Sequence, residues 1–289
     1  MVARQVTRAR SAKLSDVGEL GLLAELERRG LARAIEHDAA QIDGVVVTQD
    51  ALVEAVHFRL DWISWRDLGF RAAAVNLSDL AASGADPEAL IVTLAAPGDT
   101  KLADVLELYG GMAETEVPVI GGDTTDAEKL MLSVTAVGRS RRVPGRAGAQ
   151  PGDVVVVTGP LGAAGAAFRE RRFVRPPLRL AEGRELAERA HAMIDLSDGL
   201  AVDAAHIARR SGCRVEIELE RVPLADGATI DDLAFGEDYE LLAAVEVPPR
   251  RFPVIGRCAE GEGVSIILDG RPYELDGWQH YSQGSSARS

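Results

Sequence analysis

The sequence predicts a two-domain α/β protein, and three observations lead to that expectation. The chain has 289 residues, more than one domain of ordinary size needs. Apolar runs of strand length alternate with segments of helical period in both halves. Between the halves the composition turns to Gly, Pro and Arg in GRSRRVPGRAGAQPGD, residues 138–153, which breaks regular structure. We therefore expect a flexible N-terminus over 1–15, a first domain over 16–138, a linker over 139–152, a second domain over 153–281 and a disordered tail over 282–289.

The elements follow in order. Leu20, Leu23 and Leu26 recur about once per turn and predict a helix from Val17 to Ile35. Asp43-Gly44 is a turn feeding the β-branched run Val45–Val47, a strand expected to end at Asp50. Leu68, Ala72, Val75 and Asp79 fall at intervals of four, three and four, so a helix carries them on one face. Leu90–Leu94 and Val117–Ile120 predict strands flanking a helix over 102–112, and Leu130–Val137 another strand. In the second half, strand Val154–Val157 leads through a Gly-rich turn into a helix and then to the Pro176-Pro177 break. Helices fit 178–190 and 199–211, and strands fit 214–219, 239–247, 254–258 and 264–268.

Composition narrows the function. Forty-five acidic against 32 basic residues give a net charge of −13, which repels nucleic acid and anionic membranes. No stretch approaches about 18 uninterrupted apolar residues, so no membrane span or signal peptide is expected. Cys213 and Cys258 lie far apart without a CxxC partner, which fits a reducing cytoplasm and neither a zinc site nor a disulfide framework. The only lysines are Lys13, Lys101 and Lys129, and none follows a Gly-rich loop, so a P-loop is excluded. VVVVTGPLGAAG imitates a dinucleotide fingerprint, but Gly159, Gly162 and Gly165 spell GxxGxxG and we do not read a Rossmann site there.

Five short acidic motifs carry the chemistry: EHD at 36–38, TQD at 48–50, SD at 78–79, GGDTT at 121–125 and DLSDG at 195–199. Each sets a carboxylate beside small polar residues and an apolar run. Oxygen donors of this kind suit a hard cation such as Mg²⁺, held by carboxylates, water and substrate phosphates. Asp79 on an apolar stripe would be costly without a cation or a polar cleft. Asp123 is expected just beyond the strand Val117–Ile120, where Gly121 and Gly122 let backbone approach a phosphate; an ordinary Gly-Gly turn with a capping Asp is the alternative. Asp198 suits the N-cap of the following helix, whereas Asp195 has no capping work to do. His57, alone among apolar neighbours, reads first as structural, and as a phosphate donor only if it faces the cleft. In FGEDYELL, alternation would put Asp238 and Glu240 on one face and Glu237 and Tyr239 on the other, as a site or as a solvated acidic edge.

The order DAA, D-x-LVE-x-VHF, AVNLSDLAASGADP, VIGGDTT, R-x-GA-x-PGD-x-VxVTG, MIDLSDGLAVD-x-xHIA and GEDYELL resembles the thiamine-monophosphate kinases over residues 38–281. More distantly it is similar to the superfamily of aminoimidazole ribonucleotide synthetase and selenophosphate synthetase. The resemblance implies a first domain that dimerises through its sheet, a second α/β domain covering the cleft, and transfer of the ATP γ-phosphoryl group to thiamine monophosphate. It implies Mg²⁺ ions held by Asp38, Thr48, Gln49, Asp50, Asp79, Asp123, Asp195 and Asp198, with Asp50, Asp123 and Asp198 closest to the transfer. ATP contacts would come from Tyr109, Gly121, Gly122, Asp123, Arg146 and Ser197. Acceptor contacts would come from His57, Glu237 and a C-terminal aromatic, Trp278 or Tyr281. The chain departs from the family where His37 and Gln49 replace oxygen-bearing residues and where Phe235 stands in place of a Gly. Another ATP-dependent enzyme of the superfamily, or a non-catalytic nucleotide or thiamine-phosphate binding protein, is the competing expectation.

Overall fold

The computed structural model describes residues 13–32 and 38–277. Its first half is built on a five-stranded sheet of order β1-β2-β5-β3-β4, from β1 (Ala40–Ile42), β2 (Val45–Val53), β3 (Asp86–Ala96), β4 (Val119–Asp126) and β5 (Met131–Arg139). Asp43 and Gly44, both with positive φ, close the β1–β2 hairpin as a two-residue turn whose twist matches its strands. Helix α1 (Leu14–Arg28) precedes the sheet; it ends before the Ile35 boundary expected from sequence, and Gly18 at φ 67° interrupts its first turns.

Helix α2 (Trp65–Ala82) covers one face of this sheet. Ser64 caps it by accepting from the Asp67 amide at 3.0 Å, and nearly every residue from Leu68 to Ala82 is buried. Helix α3 (Leu102–Ala113) lies against α2. Two glycines set their spacing, because a Cβ on Gly69 would fall 1.8 Å from the Leu108 carbonyl oxygen and one on Gly111 1.8 Å from that of Arg66.

The second sheet has seven strands in the order β12-β11-β8-β10-β6-β9-β7. They are β6 (Val154–Val157), β7 (Ala190–Asp195), β8 (Arg214–Glu218), β9 (Leu241–Val245), β10 (Val254–Ala259), β11 (Gly263–Leu268) and β12 (Arg271–Pro272). β8 and β11 pair in parallel and the other neighbours antiparallel. Helices α4 (Ala163–Arg169), α5 (Leu180–Ala187) and α6 (Leu200–Ser211) complete this half. Residues 140–153 carry neither helix nor strand.

The two halves meet along α2. Gly183 of α5 lies so close to it that a Cβ would fall 2.2 Å from the Ala81 carbonyl oxygen. Ala81 and Ala82 share a core cluster with Met193 of β7 and Leu241 of β9. Among the described residues no helix is long and apolar enough to cross a membrane.

Several expected boundaries move. β2 runs past Asp50 to Val53, and β4 begins at Val119 and continues through the whole GGDTT segment. The strand Ala190–Asp195 is absent from the sequence reading, because four apolar or small residues after a helix give no period long enough to register.

Candidate active site

Four of the five acidic motifs contribute to one group at the junction of the halves. Oxygen atoms of Asp38, Asp79 and Asp195 all lie within 4.8 Å of one another, the one such group among the described residues. Asp38 precedes β1, Asp79 comes from the last turn of α2 and Asp195 ends β7, so both halves supply a carboxylate. Thr48 and Asp50 reach the group from the inner face of β2. Thr48 Oγ1 donates to Asp79 Oδ2, and the Asp50 amide donates to Asn76 Oδ1 at 3.0 Å. Buried Asn76 in turn donates to the Ala72 carbonyl, which ties strand to helix and fixes Asp50 above the stripe carrying Asp79.

The carboxylates stand in each other's field away from water. Burial, then the charges of Asp50, Asp195 and Asp38, hold the Asp79 carboxyl well above the usual range. Asp195 is pushed up to about 8 by burial and by Asp38, against a 2.7 Å hydrogen bond from Ser78 Oγ that favours its charged form. Asp50 is raised by burial in the same way. Arg146 is the counter-charge at hand: its guanidinium donates to the buried Asp38 carboxylate, 2.9 Å from Nε. A hard cation with oxygen preference fits this donor set, which contains no sulfur or imidazole and carries more negative charge than Arg146 offsets.

Other expected residues fall elsewhere. Gln49 is exposed on the outer face of the sheet and donates to Ser133 Oγ at 2.9 Å, so it does not join Thr48 and Asp50. Asp123 shares that outer face, because the register runs Gln49 to Thr135 to Ile91 to Gly121 across the sheet and Asp123 lies two residues on. Three strand spacings separate β2 from β4, about 14 Å, so Asp123 and Gln49 cannot share one cation with Asp50 within this chain. The GGDTT segment is an exposed edge strand rather than the loop beyond a strand. Its Gly122, at φ 146°, sits where a Cβ would strike the Val92 carbonyl oxygen at 1.8 Å. Asp198 does not cap α6: Gly199 is the N-cap residue, and Asp203 Oδ2 accepts from the Asp198 and Gly199 amides at 3.0 and 3.1 Å. Ser197 lies at the same turn, where its carbonyl accepts from the Glu237 amide.

Beside the acidic group lies a cleft whose wall residue Tyr239 stands in the field of Asp50 and Asp195. His57 and Glu237, the two expected acceptor residues that are described, both line it. Buried Arg71 joins them, donating from Nη1 to the His57 carbonyl at 2.6 Å and from Nη2 to Glu237 at 2.7 Å. The walls are aromatic: Phe168 stacks on Phe235 at 4.8 Å between centroids and meets Trp62 edge-on at 5.7 Å. Trp278 and Tyr281, like Glu36 and His37, lie outside the described residues. Tyr109 of α3 is half-buried and lines a separate pocket with Val117, Pro118 and Val119, the approach to Gly121 and Gly122.

FGEDYELL is not the solvated acidic edge that was one expectation. Glu237 and Tyr239 have φ of 58° and 51°, so this is irregular backbone whose alternate side chains still part to opposite sides. Asp238 is buried and accepts from the Gly162 amide at the start of α4, at 2.9 and 2.8 Å. That helix terminus, the heart of the apparent dinucleotide fingerprint, is occupied by the protein's own carboxylate. Glu240 accepts from Arg179 at 2.5 and 2.7 Å.

Arg71, Asn76 and Asp203 were not among the expected site residues. Arg71 had a legible signal, a charge eight residues before Asp79 and next to Ala72 of the 68, 72, 75, 79 stripe. Asn76 had none beyond its place in a buried helix.

Both halves of this two-sheet α/β protein match domains of the AIR synthase related proteins. The family model of the AIR synthase related protein N-terminal domain matches residues 36–140, and that of the C-terminal domain matches residues 150–267. Within that class the chain belongs to the thiamine-monophosphate kinase family. It is 32% identical to thiamine-monophosphate kinase of Aquifex aeolicus, over 93% of this chain and all of that one. It is 34% identical to that of Escherichia coli K12, over 98% and 97%. A solved structure of AaThiL complexed with AMPPCP and TMP superposes with a TM-score of 0.84 at 32% identity, over 93% of this chain and 99% of that one. The hydrogenase maturation protein HypE of Escherichia coli, at 21% identity and a TM-score of 0.67, shares the fold.

Proposed function

We propose that this protein transfers the γ-phosphoryl group of ATP to the phosphate of thiamine monophosphate, giving thiamine diphosphate and ADP. The single observation that carries the reading is the acidic group of Asp38, Asp79 and Asp195 standing beside an aromatic cleft at the junction of the halves. The acceptor is already an anionic oxygen nucleophile, so the site needs no strong general base, and none is assigned. Its difficulty is the approach of two anions.

The residues divide that task. Thr48, Asp50 and the three clustered carboxylates would hold Mg²⁺, which supplies charge neutralisation and alignment of the phosphates when bound. Arg146 would turn from Asp38 toward a phosphate as positive charge enters. The cleft lined by Trp62, Phe168 and Phe235 suits the flat, cationic ring system of the acceptor, with His57 and the Arg71–Glu237 pair fixing its orientation. ATP is assigned to the exposed strand Gly121–Asp123, with the base at the Tyr109 pocket. That strand lies on the outer face, about 14 Å from Asp50, so its ATP contacts would serve the acidic group of a second copy across the dimer rather than that of its own chain.

The same outer face is our proposed homodimer surface. It presents the unpaired edge of β4 with Ile120 and Ile91 exposed, an arrangement that soluble proteins normally cover. A cytoplasmic setting suits the two free, buried cysteines.

The test offers the purified chain ATP and Mg²⁺ with thiamine monophosphate, thiamine, or aminoimidazole ribonucleotide precursors as acceptors. Thiamine diphosphate formed from the monophosphate alone is expected. Turnover of another acceptor in its place, or ATP binding without turnover, overturns the reading.

A further inference from the structure

Residues 170–179, between α4 and α5, leave the second half, cross the first and return. The segment carries no helix or strand beyond its opening turn. Phe173 and Leu178 pack against the core of the first half, while Phe173, Val174 and Pro176 form a wall of the aromatic cleft. One half of the molecule thus supplies a pocket wall that stands on the other.

The two ends of this strap are held differently. Arg179 is bound at its root to Glu240, whose side chain is only 4% exposed and also accepts from Thr158 Oγ1 at 2.5 Å. Toward the middle, Arg175 donates from Nε to Asp67 at 2.6 Å and from Nη1 to Glu114 at 2.5 Å, with its guanidinium 4.6 Å from the centre of the Phe70 ring. Asp67 lies in the first turn of α2 and Glu114 follows α3, so one side chain grips both helices of the first half. These groups are 38%, 33% and 34% exposed. Exposed ion pairs are weak and screened by salt, so the grip is releasable where the root is not. Pro176-Pro177 stiffens the backbone between them.

We propose that Arg175 is a positioning residue for the acceptor. With Asp67 and Glu114 it latches the strap against the first half, and the wall so held completes the cleft. The assignment rests on that cleft being the acceptor site. Arg175 touches none of the residues assigned to the phosphates, so its loss acts on acceptor binding and leaves the transfer step alone. A releasable latch also lets substrate and product pass the wall, as lids do in many enzymes.

The test uses the full chain as wild type, Arg175→Gln and Arg175→Lys, titrated calorimetrically with thiamine monophosphate and separately with a non-hydrolysable ATP analogue. Arg175→Gln should weaken thiamine monophosphate binding about fivefold and raise its KM alike, with kcat and analogue affinity unchanged and Arg175→Lys falling between. Raising salt should weaken acceptor binding more in the wild type than in Arg175→Gln. Trypsin should cut after Arg171 and Arg172 faster in Arg175→Gln, and thiamine monophosphate should slow that cut in the wild type. Unchanged acceptor affinity in Arg175→Gln, or an equal loss of analogue affinity, overturns the latch. A wild type that binds the analogue but no thiamine monophosphate overturns the assignment of the cleft instead.

Discussion

Replacing Asp195 with Asn separates the electrostatic account from a purely structural one. The Asn keeps the shape and can still accept from Ser78 Oγ, but it cannot ionise. In the metal-free wild type, burial and Asp38 raise the Asp195 carboxyl to about 8. The folded state therefore holds a proton that the unfolded chain, with an ordinary carboxylate near 4, has already lost. Stability from such a group is present below the unfolded pKa and is lost as pH rises through the folded one, at up to about 1.4 kcal/mol per pH unit. Between pH 6 and pH 8 this group should cost the wild type about 2–3 kcal/mol relative to Asp195→Asn, or roughly 3–5 °C in Tm for a chain of this size. Magnesium reverses the ordering, because it binds the ionised carboxylates: it should raise the wild-type Tm more at pH 8 than at pH 6 and lift Asp195→Asn much less. The assay is differential scanning fluorimetry in chelator and in excess Mg²⁺ across that pH range. Wild type and Asp195→Asn running parallel from pH 6 to 8 without metal would refute the reasoning.

Three further outcomes follow from particular contacts. Phe235→Ala removes the ring stacked on Phe168 and should raise the KM for thiamine monophosphate about 3- to 10-fold, leaving that for ATP unchanged; an effect on ATP alone would contradict the assignment of the cleft. Gly122→Ala forces a Cβ into the Val92 carbonyl at a φ that L-residues avoid; β4 should shift, with ATP affinity falling at least tenfold, and wild-type ATP binding by this variant would show that the strand is not the nucleotide seat. Ile91→Asp places a charge on the open sheet face and should convert a dimer to monomer in sedimentation; a wild type that is monomeric at all concentrations removes the dimer from the account.

Much of this fold was legible because its signals are local. The 68, 72, 75, 79 spacing foretold α2 and the need of Asp79 on its apolar stripe for a polar site, and the run at 154–157 foretold a strand. The site was legible as a set of acidic motifs but not as geometry. Whether a strand carrying Asp50 also turns Gln49 toward the cation depends on period two, and the sheet sends neighbours to opposite faces. Extending β4 through GGDTT put Asp123 across the sheet from Asp50, and only register against β3 reveals that. The expectation also gave Asp198 the capping position that Gly199 holds, while Asp203 reaches back from inside the helix to accept from the Asp198 and Gly199 amides. Arg71 and Asn76 act through partners 166 and 26 residues away, a separation at which one sequence carries no pairing information.

The central claim is direct transfer between two phosphates at the junction of the halves. A single-turnover chemical quench with γ-labelled ATP, Mg²⁺ and excess thiamine monophosphate tests it most directly. The account predicts label passing to the terminal phosphate of thiamine diphosphate at the rate ATP disappears, with none held on the protein at any time and with Asp79→Asn abolishing the transfer. Label accumulating on the protein before product forms, or undiminished transfer in Asp79→Asn, would contradict it.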